Sequence, residues 1–232
     1  MFQTSGLMRY PVYERFLTWQ GEGVHLGRKA AFIRLYGCPV HCPWCDSAGT
    51  WHQDHVPAHL LKETAEELVS WVVSTGAGIC VITGGEPTIY DLDPLVSELT
   101  RVGVRSHLET SGGFPITGNL DWITLSPKRW QLPLDENLVK ADEIKVIVDQ
   151  PGAIGYWEDS LRGKVRTDSI WLHPEWSSRS DPAVIRAINE AVLAQRLPYR
   201  AGFQLHKLYR VDESSAGSRP PVPLGGVQSR GY

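Results

Sequence analysis

The sequence predicts an α/β protein, a partial, open TIM-like (β/α)6 barrel, and three observations carry that expectation. Short β-runs alternate with amphipathic helical runs along most of the 232 residues, an order that implies parallel strands joined by crossovers. Glycine-rich and polar clusters recur just past the ends of the β-runs, the edge at which loops of such folds meet ligands. About six strand–helix units suit an open barrel better than a sandwich.

Val12 to Trp19 reads as a strand running into Gln20-Gly21-Glu22-Gly23, a turn whose glycines either let backbone approach a ligand or merely close a surface hairpin. Ala30 to Tyr36 is the next strand, with Arg34 in its middle. A charge there is costly unless it is paired, meets an anion or lies on a solvated face. Leu60 to Val73 carries apolar residues at helical spacing opposite Lys62, Glu63, Glu66 and Glu67, and Thr75-Gly76 closes it. The β-run Ile79 to Ile82 empties into Thr83-Gly84-Gly85-Glu86-Pro87. A helix from Leu92 to Val102 leads to the strand Val104 to Leu108, which ends at Glu109-Thr110-Ser111-Gly112. Trp122 to Leu125 ends at Ser126-Pro127-Lys128, Glu143 to Val148 is a further strand, and Ile170-Trp171-Leu172 ends at His173-Pro174-Glu175. The helix Ala183 to Ala194 precedes Phe203-Gln204-Leu205-His206, with His206 following a β-run. Each polar cluster alone is more often a loop or helix cap. Their common edge points to a ring around one cavity.

Composition narrows the function classes. Hydrophobic residues make up 42% and charged residues 21% of the chain, ordinary for a soluble globular domain. The net charge of −3 and pI near 6.2 carry no polyanion-binding footprint, so no direct nucleic-acid partner is expected. No apolar run approaches the roughly 18 residues of a membrane span. Met1 to Ser5 lacks a signal pattern, and the expected location is the cytoplasm. Residues 1–210 read as one catalytic domain, and 211–232, with its Ser-Ser-Ala-Gly-Ser-Arg-Pro-Pro stretch, as a flexible tail.

Three of the four cysteines, Cys38, Cys42 and Cys45, fall within eight residues, spaced Cys-x3-Cys-x2-Cys. A structural zinc site wants four protein ligands, which His41 or His25 would have to complete. A buried cluster of thiols without metal is the bland alternative. An iron–sulfur cluster with one iron left open fits three cysteines best. Cys80, in the apolar run Gly78 to Ile82, reads as core. Asp46 and Ser47 directly after the last cysteine suit either a turn or a water-rich Mg²⁺ site.

Gln20-Gly21-Glu22-Gly23, Arg34, Gly37-Cys38, Trp44-Cys45-Asp46-Ser47 and Thr83-Gly84-Gly85-Glu86-Pro87 together resemble the 7-carboxy-7-deazaguanine synthase family of radical S-adenosylmethionine (SAM) enzymes, over about residues 12 to 210. The resemblance implies the open barrel of the radical SAM type. It also implies a [4Fe-4S] cluster on Cys38, Cys42 and Cys45, with SAM on the fourth iron. SAM contacts would come from Gly84, Gly85, Glu86, Glu109, Ser111, Ser126, Pro127, Lys128, His173 and Glu175. In that loop Glu86 or a neighbouring carbonyl would accept from the SAM ammonium. Substrate contacts would come from Trp19, Gln20, Gly21, Glu22, Arg34, Thr83 and His206, and a Mg²⁺ ligand from Ser47. The implied lyase reaction takes 6-carboxy-5,6,7,8-tetrahydropterin to 7-carboxy-7-deazaguanine, a queuosine precursor. It proceeds by hydrogen abstraction at C6, ring contraction and loss of ammonia, with no acid–base side chain in the key step. A reductant such as flavodoxin or ferredoxin and a homodimer are the implied partners. A radical-installing activase and a non-catalytic metal-binding module are the other classes the cysteines allow. Ser111 stands where relatives commonly carry Asn, and His173 where some carry Gln. Several relatives end soon after the position of His206 and use their terminal carboxylate on the substrate. Here the chain continues, with Asp212 and Glu213 as the candidates for that role.

Overall fold

The computed structural model describes residues 8–211 and 215–219. Its strands are β1 (Tyr10–Trp19), β2 (Lys29–Leu35), β3 (Leu61–Glu63), β4 (Ile79–Gly84), β5 (Arg105–Thr110), β6 (Trp122–Leu125), β7 (Glu143–Val148), β8 (Ile170–Pro174) and β9 (Tyr199–Ala201). The helices are α1 (Ala65–Ser74), α2 (Asp93–Arg101), α3 (Asp135–Lys140), α4 (Gly152–Leu161), α5 (Pro182–Ala194) and α6 (Leu205–Tyr209). All the strands join one sheet in the order β3-β1-β2-β4-β5-β6-β7-β8-β9, with β3 and β9 at its two ends, so the sheet is open. From β2 onward every neighbour pair is parallel. β1 lies antiparallel between β2 and β3.

The expected α/β open barrel is therefore present, with several bounds moved for physical reasons. The helix expected from Leu60 starts at Ala65, because Leu61–Glu63 pair with Tyr10–Val12. Thr64 then caps the helix: its hydroxyl accepts from Glu67 N–H at 3.2 Å and the Glu67 carboxylate accepts from Thr64 N–H at 2.8 Å. A cap of this kind is worth about 1 kcal/mol. The link from β5 to β6, residues 111–121, holds no helix; Gly112, Gly113, Pro115 and Gly118 disfavour one. The β-run expected near Phe203 lies earlier, at Tyr199–Ala201, and His206 stands on α6 instead.

Two cores fill the space between sheet and helices. Ala31, Ile33, Leu35, Cys80, Ile82 and Leu108 meet α1 and α2 through Leu68, Val72, Leu95 and Leu99. Ile144, Val146, Leu172 and Tyr199 meet α4 and α5 through Ile154, Trp157, Val184 and Ile188. Cys80 is fully buried in the first core, in line with its reading as a packing residue. At roughly 25 cal/mol per Å² of apolar surface, burial on this scale is what holds the helices to the sheet.

The opposite sheet face turns into the barrel. Phe16 stacks on Phe32 with centroids 5.3 Å apart, packed with Ala30, Ile79 and Val81. Beside them His25 lies 4.4 Å from both the His107 and Trp122 rings. Glu143 closes this layer, accepting from Val24 N–H at 2.9 Å, Thr124 Oγ1 at 2.7 Å and Trp171 Nε1 at 2.9 Å. Among the described residues no helix is long and apolar enough to cross a membrane.

Burial, and next the neighbouring His25, push the His107 imidazole from its ordinary 6.5 down to about 3. The unfolded chain then binds more protons than the folded one below pH 6.5, so stability is full above that value and drains as pH falls toward about 3. Urea midpoints should fall steadily from pH 7 to pH 4, and less steeply in His107→Gln. Equal slopes for the two proteins would contradict the buried neutral imidazole.

Candidate active site

The cysteine loop leaves the end of β2 and is tied down on both sides. Gly37 N–H donates to Thr50 O at 2.7 Å, and Glu86 N–H donates to Gly37 O at 2.8 Å. Gly85 makes the second contact possible, because a β-carbon there would lie 2.0 Å from Gly37 O and 3.1 Å from Cys38 Cβ. Cys38, Cys42 and Cys45 are free thiols, each partly exposed. All three line a cleft of ≈ 1000 Å³, a figure that includes its open mouth. Two N–H donors already point at the Cys45 sulfur, from Ser47 at 3.4 Å and from Trp51 Nε1 at 3.5 Å. Burial pushes the Cys42 thiol up to about 12 and the Cys45 thiol to about 11. Thiols this reluctant to ionise release their protons to a bound cation.

Among the described residues the zinc alternative finds no fourth ligand in either histidine. His41 stacks on Trp51 at 4.1 Å and His25 is packed on His107 inside the barrel. Among the described residues no three His, Cys, Asp or Glu side chains are grouped to hold one metal ion. Three thiols on one loop, without a fourth ligand from the expected histidines, suit an iron–sulfur cluster with one iron open.

Opposite the thiols run the ends of β4, β5 and β6. Glu86, 2% exposed, is fully engaged. Its Oε1 accepts from Thr88 N–H at 3.2 Å, Thr88 Oγ1 at 2.8 Å and Thr110 Oγ1 at 2.6 Å. Its Oε2 accepts from Ser111 N–H at 2.8 Å and Ser111 Oγ at 2.5 Å. The carboxylate thus fastens the Gly84-Gly85 turn to the end of β5. Lys128 Nζ donates to Ser126 O at 2.6 Å and Ser126 Oγ at 2.7 Å, and stands 5.5 Å from the Trp44 ring. Glu175 accepts from Ser177 N–H at 3.0 Å.

The remaining wall carries buried charge. Glu14 Oε1 accepts from Arg34 Nε at 2.6 Å, and Arg34 Nη1 donates to Gly84 O at 3.3 Å. Gln20 Nε2 donates to Glu109 Oε1 at 2.9 Å. Lys145 forms an ion pair with Glu22, which also accepts from Gln204 Nε2 at 3.0 Å. Burial alone would raise the Glu22 carboxyl, but Lys145 and then His173 outweigh it and hold the group well below the usual carboxylate range. Asp46, desolvated yet paired to Lys207 at 2.8 Å, is likewise held low.

Arg34, the three cysteines, Ser47, Thr83, Gly84, Gly85, Glu86, Glu109, Ser111, Ser126, Lys128 and Glu175 all line the cleft. Glu22 stands directly behind Lys145 and Gln204, and His206 Nδ1 lies 4.0 Å from the Glu22 carboxylate. A β-carbon on Gly21 would come within 2.3 Å of the same His206 nitrogen. Trp19 packs edge-on against Tyr209 at 5.6 Å. Pro127 is outside the lining, as is His173, which is fully buried with neither ring nitrogen hydrogen-bonded. Asp212 and Glu213 lie outside the described residues. Lys145 and Gln204 were missed in the sequence reading, although a lysine inside the apolar run Glu143 to Val148 is the same signal that marked Arg34.

A thiol triad at one end of a parallel sheet, facing a glycine turn, defines a radical SAM domain, and the sequence model of the Radical SAM superfamily matches residues 32–128. A 7-carboxy-7-deazaguanine synthase from Synechocystis sp. is 42% identical over 201 residues, covering 85% of this chain and 91% of that protein. The 7-carboxy-7-deazaguanine synthase of Prochlorococcus marinus is 39% identical over 196 residues, 73% of this chain and 85% of its own. The crystal structure of QueE from Escherichia coli superposes with a TM-score of 0.72 at 34% identity, covering 85% of this chain and 95% of that one. The chain belongs to the 7-carboxy-7-deazaguanine synthase family. Membership implies a [4Fe-4S] cluster and SAM, which the donor set described above fits.

After anaerobic reconstitution with iron and sulfide, Cys38→Ala, Cys42→Ala and Cys45→Ala should each lose the brown cluster absorbance, while Cys80→Ala keeps it. Loss confined to Cys80→Ala would overturn the ligand assignment. Lys145→Met strands a buried carboxylate and should cost about 3 kcal/mol in urea unfolding, with part of the loss recovered in Glu22→Gln/Lys145→Met. Strictly additive effects would rule out the pair.

Proposed function

We propose that the chain converts 6-carboxy-5,6,7,8-tetrahydropterin to 7-carboxy-7-deazaguanine with loss of ammonia, a lyase step toward queuosine and related 7-deazapurines. The observation that carries this reading is the placement of Arg34, fixed by Glu14 at 2.6 Å, in the same cleft wall system as the three thiols. A guanidinium grips a carboxylate through parallel hydrogen bonds, and the pterin acid presents one. Cys38, Cys42 and Cys45 would hold the cluster, and the backbone of Gly84 and Gly85 the amino-acid end of SAM. Glu109, Ser111, Ser126, Pro127, Lys128, His173 and Glu175 would shape the rest of the SAM site. When bound, this pair of cofactors supplies hydrogen-atom abstraction at the pterin C6. The residues around it orient the substrate so that one hydrogen is in reach, which for radical chemistry matters more than proton transfer.

Ser47 is the proposed Mg²⁺ ligand. Its hydroxyl donates to Asp46 Oδ1 at 3.2 Å, and the ionised Asp46 beside it adds the negative charge and water-binding capacity that Mg²⁺ favours. Gln20, Gly21, Glu22, Thr83 and His206 belong to the pterin end, Glu22 acting through Lys145 and Gln204 and His206 standing beside Glu22. Trp19 supports that end from outside. A flavodoxin or ferredoxin reductant, a homodimer, a cytoplasmic location and a single catalytic domain over residues 1–210 complete the reading. An activase would need room for a partner chain, whereas the half-buried Arg34, Lys145 and Lys207 suit a small anion.

Anaerobic turnover of the carboxytetrahydropterin with dithionite and SAM tests the reading directly. Arg34→Ala should raise the substrate KM at least about tenfold with the cluster intact. Wild-type kinetics in that variant would remove Arg34 from the substrate site, and a reconstituted protein inert toward the pterin would reject the substrate.

A further inference from the structure

We infer that the segment Ser215–Arg219 is a strap that positions Arg34 for its anion by way of Glu14. This rests on the proposed role of Arg34. Glu14 and Arg34 are Cα partners across the β1–β2 ladder, and Glu14 is only 8% exposed. One carboxylate oxygen takes Arg34 Nε at 2.6 Å, and the other accepts the main-chain N–H of Arg219 at 2.5 Å. The Arg219 side chain adds a donation to Tyr13 O at 2.7 Å and lies 5.1 Å from the Tyr13 ring.

The strap occupies the stretch of β1 that β3 leaves uncovered, since β3 pairs with Tyr10, Pro11 and Val12 alone. Gly217 permits the approach: its φ is +96° and a β-carbon would lie 2.6 Å from Arg15 O. The consequence is chemical. A carboxylate with both oxygens available closes a two-point pair with a guanidinium, the strongest arrangement open to it. With one oxygen capped by a neutral amide, Glu14 holds Arg34 through Nε, and with Nη1 on Gly84 O the donors of Nη2 are the ones that stay available for a ligand carboxylate. Arg219 is therefore a positioning residue, acting through Glu14.

Arg219→Pro deletes the N–H, Arg219→Ala keeps it, and Gly217→Val pries the strap off β1 with the N–H in place. Arg219→Pro and Gly217→Val should raise the pterin KM about tenfold while kcat, the SAM KM and cluster absorbance stay at wild-type values. Arg219→Ala should rise less than Arg219→Pro, and adding Glu14→Gln to Arg219→Pro should cause no further rise. With Arg34→Ala impaired, a wild-type KM in Arg219→Pro, or equal effects of the Pro and Ala variants, overturns the strap alone. An Arg34→Ala variant that binds pterin normally overturns the substrate reading and the strap together.

Discussion

Charge buried at the mouth of the sheet has to be matched, and that requirement organises the whole molecule. A lone ion moved from water into a protein interior costs several kcal/mol, so it survives only beside an opposite charge or a full set of hydrogen-bond donors. Arg34 meets Glu14 across β1 and β2, Lys145 on β7 meets Glu22 in the turn after β1, and Lys207 on α6 meets Asp46 behind the cysteines. The Lys145–Glu22 and Lys207–Asp46 pairs bridge elements far apart in sequence, so pairing those charges also assembles the walls. Glu86 solves the same problem without a cation: neutral donors from Thr88, Thr110 and Ser111 surround it and bind the β4 and β5 loops into one unit. Removing a partner anywhere in this set therefore disturbs geometry as well as charge.

Close backbone approach is the second constraint. The cysteine loop and the glycine turn after β4 interlock through Glu86 N–H and Gly37 O, a contact that no side chain at position 85 would tolerate. Thiols and turn are consequently held as one rigid rim. A rim fixed before any ligand arrives is what a site that must aim a reactive atom requires.

Much of this was legible in the sequence because parallel strands deliver their C-terminal ends to one edge. Arg34 and Thr83, Glu109 and Thr124, and Ile147 and His173 are neighbours in register, so clusters scattered along the chain converge without further information. What escaped were the elements whose local signals are weak. α4 contains Gly152 and Gly155 and begins after Pro151, and β3 and β9 are three-residue strands too short to show an alternating pattern. His173 shows another limit. Its side chain is fully buried at the end of β8, and no one-dimensional pattern distinguishes that from exposure to the cleft.

The barrel interior separates into two chemical layers, and the separation explains how the site can work. Below, Phe16, Phe32, His25, His107 and Trp122 make a dry plug, and Glu143 is tied there by amide, hydroxyl and indole donors. The depressed basicity of His107 follows from that dryness. Above, the charged pairs and thiols face a cleft that opens to solvent on one side. A reactive species generated at the thiol rim thus has packed protein beneath it and oriented, hydrogen-bonded groups around it. α6 joins this upper layer through Lys207 against Asp46 and His206 against Gly21.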